Sequence, residues 1–114
     1  MRRYLISFND GDMKFPMEEL PQVAEDSHAV VREAKAAGVW IFGGGFDDYK
    51  PVVVDEKGEV TIGPIKHSEV HLGGFSVIEV ETEEEAYFWA AKIAKGCRCK
   101  QEVREFIFDP ESTN

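Results

Sequence analysis

His67, Glu69 and His71 stand at alternating positions in the run Gly63-Pro64-Ile65-Lys66-His67-Ser68-Glu69-Val70-His71-Leu72-Gly73-Gly74-Phe75. If that run is extended, the three side chains project to one face, because successive residues of a strand point to opposite sides. Two imidazoles and a carboxylate so placed could ligate a divalent metal. They could instead present an acid or base that titrates near neutral pH beside a bound molecule. Metal triads drawn wholly from one short strand are uncommon, so neither a metal nor a cofactor is expected. A further reading is a polar lip that orients a ligand, with His67 or His71 as acid or base and Pro64, Ser68, Glu69 and Phe75 as contacts. A solvated loop with no role fits the same residues.

His28 is the remaining histidine. It falls four residues after Ala24 and three before Val31, at the edge of an apolar helical stripe. A neutral imidazole there can take or give a proton, though a boundary histidine with purely local partners fits too. Gly43-Gly44-Gly45 is followed by the acidic Phe46-Asp47-Asp48 and opens no helix, so the anion-binding geometry of a phosphate loop is missing. A β-bulge with close backbone approach is expected instead, with Gly44 and Phe46 on the rim of a site. Geometrically, His28 and one of His67, Ser68, Glu69 or His71 are expected to border one cleft, because a helix lying on a sheet and a segment feeding one of its strands reach the same crevice. Cys97 and Cys99 make a Cys-x-Cys pair without the second pair that a structural zinc needs. They read as two reduced thiols, with Lys92, Lys95, Arg98 and Lys100 near enough to lower a thiol pKa.

The elements that must position these residues follow from periodicity. Tyr4, Ile6 and Phe8 alternate with Leu5 and Ser7 in a first strand over 3–8. From Pro21, tolerated only in a first turn, to Ala37, the apolar positions Leu20, Ala24, Val31 and Ala34 recur at helical spacing, and Gly38 stops the helix. Val39-Trp40-Ile41-Phe42 is a short, fully apolar strand that the glycines end or bulge. Residues 51–55 and 59–62 form a hairpin with Gly58 in its turn. A strand over 74–81 leads to Thr82-Glu83-Glu84-Glu85, a capping box, and then to the amphipathic series Ala86, Trp89, Ala90, Ile93 and Ala94, with Gly96 as its stop. Residues 101–108 form the last strand, and 109–114 a frayed tail.

The order β-α-β, hairpin, β-α-β describes one ferredoxin-like α+β domain over 1–114, with two helices on one side of an antiparallel sheet. Its other face carries more large apolar residues than two helices can cover. It is expected to be buried against a second copy, sheet on sheet, in a homodimer. A net charge of −9 without a basic cluster argues against nucleic acid and against an anionic membrane surface. No apolar run approaches the roughly 20 residues of a membrane span, and the apolar stretch after Arg2-Arg3 is short for a signal peptide, so a cytoplasmic location is expected.

The segment from the Gly63-Pro64 turn through Leu72-Gly73-Gly74-Phe75, with Ala86, Ala90 and Glu102-Val103-Arg104 downstream, resembles the YCII-related family in its longer, DGPF-type form. Ala36-Ala37-Gly38-Val39 and Gly44-Gly45-Phe46 also look like that family. The chain departs from the signature at Ile62 for its Asp and Ile65 for its Phe, and the polar segment and the Asp-Pro after the second helix are also replaced. The resemblance implies a ferredoxin-like protomer pairing into a dimeric α/β barrel, and a cleft between helix and sheet where a His and an Asp serve as an acid–base pair. His28 matches the family's helical His. A few members act on chlorinated aromatic breakdown products. Two functions are thus expected as alternatives. One is an enzyme using His-based acid–base chemistry of lyase type on a small organic molecule, with His28, His67 and His71 as its residues. The other is a non-catalytic small-ligand-binding or accessory module.

Overall fold

The computed structural model describes residues 1–47, 50–63 and 70–113. In chain order the elements are β1 (Arg2–Asn9), a 3₁₀ turn (Met17–Glu19), α1 (Leu20–Ala36), β2 (Trp40–Gly45), β3 (Val52–Val54), β4 (Val60–Ile62), β5 (Leu72–Val80), α2 (Glu83–Cys97), β6 (Glu102–Glu105) and a second 3₁₀ turn (Pro110–Ser112). Four strands form a sheet in the order β2-β5-β1-β6, each pair antiparallel. The two β-α-β crossovers place both helices on one face, consistent with a ferredoxin-like fold. The expected β3–β4 hairpin forms a separate two-stranded sheet between β2 and β5. Asp55 Oδ1 accepts the Lys57 and Glu59 N–H groups, and Gly58 takes the left-handed backbone (φ +84°) that closes the turn.

Alternation along the strands decides the two faces. Tyr4, Ile6, Ile78 and Val80 point to the helices and are buried with Ala34, Ala86, Trp89, Ala90 and Ile93. Each buried aliphatic of this size stabilises the fold by about 1.5–3 kcal/mol relative to an exposed one. Their strand neighbours Leu5, Ser7, Phe75 and Val77 pair across the sheet on the opposite face, which no helix covers. α2 begins as its sequence requires: Thr82 is extended and its hydroxyl accepts the Glu85 N–H. α1 accepts Pro21 in its first turn, and Gly38 follows it at φ +76°.

Four expectations need correction. The buried side of α1 is Val23 and Ala34, with Val30 packed against the core, whereas Leu20 and Ala24 are exposed. The reason is that Ser27, not an apolar residue, meets the second helix: its hydroxyl donates to the Gly96 carbonyl at 3.2 Å. Gly96 does not stop α2, which runs on to Cys97 and is capped by left-handed Arg98. It is buried, and a Cβ there would lie 3.2 Å from the Asp26 carbonyl, so it lets the helices touch. Gly43-Gly44-Gly45 do not bulge β2, which ends only at the last of them. All three pair with β5, and the irregularity lies at Ile41 between Trp40 and Phe42. Regular pairing of β6 stops at Glu105; one further bond, Phe106 N–H to the Arg3 carbonyl, precedes a C-terminal segment whose 3₁₀ turn is capped by Asp109. Among the described residues, no helix is long and apolar enough to cross a membrane.

Candidate functional site

Pairing across β2 and β5 sets the candidate residues on the uncovered face of the sheet. Phe42 is opposite Val77, and Gly44 opposite Phe75. Phe46 leaves the strand end with its N–H bonded to the Gly73 carbonyl at 2.9 Å. The Phe42 and Phe46 rings each tilt against Phe75 with centroids 6.2 Å away, within the range of favourable aromatic contact. Gly44 lies between them with nothing within 4 Å of where a side chain would begin. Phe42 and Phe46 remain 59 % and 60 % exposed. Of the candidate ligand contacts, Gly44, Phe46 and Phe75 are therefore brought together.

Close approach at this end of the sheet is made by glycine. A Cβ on Gly73 would fall 2.8 Å from the Asp10 nitrogen, and one on Gly74 2.7 Å from the Phe8 ring and 2.9 Å from the Gly44 carbonyl. That closeness seats the strand start between its neighbours and brings His71 to the same end as Phe46. The His71 carbonyl accepts the Asp10 N–H at 2.7 Å, and the residue is half-buried. His67, Ser68, Glu69 and Pro64 lie outside the described residues, and with them two members of the possible metal triad. His28 is exposed on α1. It stands on the helix side of the sheet, whereas Phe42, Gly44 and Phe75 stand on the other side, so a single chain does not gather the histidine and these rings.

The helix–sheet interface is filled by the core residues named above. A cleft of about 520 Å³ lies elsewhere, toward the opposite end of the sheet. Arg3, Val77, Glu79 and the segment Phe106 to Asp109 are among its walls. None of these residues carries a motif, which is why periodicity and spacing missed them.

Ion pairs bind the elements that frame both ends. Arg2 grips Glu105 through two bonds of 3.0 and 2.7 Å, which holds the Glu105 carboxyl below its ordinary range and raises Arg2. Arg98 at 2.7 Å, helped by Gln22, does the same to Asp26. The thiol of Cys99 moves the other way from a reactive cysteine. Burial, then neighbouring Cys97 and Asp12, push it up.

No protein-family model matches this chain, and a search of curated proteins finds no match to it.

Proposed function

We propose that this protein is a YCII-like, homodimeric small-ligand-binding module of the cytoplasm, with two sheets packed face to face and a small aromatic molecule held beside Phe42, Phe46 and Phe75. The observation that carries the reading is the gathering of three phenyl rings around side-chain-free Gly44 on a sheet face that no helix covers. Rings at this spacing offer edges and faces to a planar guest, and Gly44 leaves room for it. The binding function is placed ahead of catalysis because His28 is exposed on the far side of the sheet from those rings.

A thermal-shift screen of small aromatic compounds, as acids and as neutral analogues, tests the reading. A hit whose shift is lost in Phe75→Ala supports it, and a screen without a hit counts against it. A second reading, acid–base chemistry on the same guest, is favoured by the half-buried His71 just before β5, at the same end of the sheet as Phe46. It requires turnover of a hit that His71→Ala abolishes, and turnover that depended on His28 alone would sink it.

A further inference from the structure

The cleft toward the far end of the sheet differs from the aromatic cluster in its chemistry. One chain supplies all its described walls: Arg2 and Arg3 from the start of β1, Val77 and Glu79 from the end of β5, Glu105, and the C-terminal segment. Its size falls within the roughly 300–1,000 Å³ of small-molecule pockets. Its apolar part is made by Val77, Phe106, Ile107 and Phe108. Ile107 and Phe108 are 92 % and 83 % exposed although they adjoin a folded, capped turn, so much apolar surface borders the cleft.

The polar groups are unequal. Arg2 and Glu105 satisfy each other through two bonds. Arg3 uses only Nε, bonded to Glu79 Oε2 at 2.7 Å, and its side chain is 30 % exposed. Among the described residues its two Nη groups have no hydrogen-bond partner. Glu79 thereby fixes the plane of the guanidinium and leaves the donors of its outer edge for another acceptor. A planar fork of N–H donors matches a carboxylate, and matches a neutral amide much less well.

We propose that this cleft binds a monocarboxylate with an apolar tail, the carboxylate held by the Nη groups of Arg3 and the tail laid along Val77, Phe106, Ile107 and Phe108. The site borders the aromatic cluster of the proposed function at Val77, which pairs with Phe42 on the same sheet face; Arg3 and the C-terminal segment set it apart, and an aliphatic probe separates the two. Hexanoate and hexanamide are titrated into the full chain by calorimetry, and amide-resonance shifts locate each ligand. Hexanoate binds about tenfold or more tightly than hexanamide, the difference expected of a charge-assisted hydrogen-bonded pair, and the shifts centre on Arg3, Val77 and 106–109. Arg3→Gln removes the preference for the acid, Val77→Trp removes binding of both ligands, and Phe75→Ala alters neither. Equal affinity for acid and amide, no hexanoate binding, or shifts centred on Phe42, Phe46 and Phe75 each overturns the proposal. Should Arg3→Gln fail to fold, the acid-to-amide comparison and the shift map on the unaltered chain decide alone. Loss of aromatic binding in Phe75→Ala with hexanoate binding intact would show both sites to be independent; failure of the aromatic screen leaves this cleft standing.

Discussion

Single residues carry two kinds of constraint here, contact distance and charge. Gly74 illustrates the first. A methyl group at that position meets the Phe8 ring at 2.7 Å and the Gly44 carbonyl at 2.9 Å, and the carbonyl belongs to a paired strand that cannot swing aside. Gly74→Ala is therefore expected to destabilise the chain by about 1–3 kcal/mol, the usual cost of overpacking, read from urea unfolding. Charge is illustrated by Asp26 and Glu105, whose arginine partners lower their folded pKa values. A carboxyl that is more acidic in the folded state binds fewer protons there than when unfolded, so stability rises with pH. Their contribution is complete above the ordinary carboxylate range of about 4 and is lost as pH falls through the lower folded values. Unfolding midpoints measured between about pH 6 and pH 2 should fall toward acid, and Asp26→Asn with Glu105→Gln should flatten that fall. An unchanged slope would mean that these pairs hold geometry without contributing to acid sensitivity.

At the scale of elements, what could be read from the chain depended on whether the signal was local. The alternation of Tyr4, Ile6 and Phe8, the hairpin around Gly58 and the start of α2 all rest on neighbours in sequence, and the structure has each of them. Thr82 is the clearest case. Its hydroxyl satisfies the Glu85 N–H, so Thr82→Ala should cost about 0.5–2 kcal/mol of stability, and Thr82→Ser should restore most of it. Thermal midpoints of the three chains check this. Signals that failed were tertiary. Glycine triplets read as breakers, yet β2 continues through Gly43 to Gly45 because β5 pairs with them. Ser27, which no sequence pattern singles out, contacts Gly96, 69 residues away. The same limit divides the sites. Gly44, Phe46 and Phe75 were recognisable as candidates from glycine and aromatic punctuation. Arg3 acquires its meaning only from Glu79, 76 residues on, and nothing in either residue's surroundings in sequence points to the other.

The whole molecule is a slab of 43 × 42 × 19 Å with a radius of gyration of 15.8 Å. A compact domain of this length would have a radius of about 13 Å. Two layers account for the thinness: one sheet, one layer of helices, and a sheet face that no helix covers. On that face Phe42 is more than half exposed, and Val52, Val54, Val60 and Ile62 of the separate hairpin are exposed too. Val52 pairs with Ile62 and Val54 with Val60, so the four form one apolar ladder, on a two-stranded ribbon of a kind that is marginal in water without support. A second copy laid sheet on sheet would cover such surface, as the proposed function requires. Sedimentation equilibrium at micromolar concentration should therefore report a dimer, and the thermal midpoint should rise with protein concentration. Phe42→Glu is the discriminating variant. Its side chain costs little in a free protomer, because the ring it replaces is already more than half exposed, but it would place a charge inside the paired faces, where an unpaired carboxylate is heavily penalised. The variant should sediment as a folded monomer with unchanged circular dichroism. A wild-type chain that is monomeric across the same concentrations would remove the dimer, and the aromatic face would then have to bind its guest from open solvent.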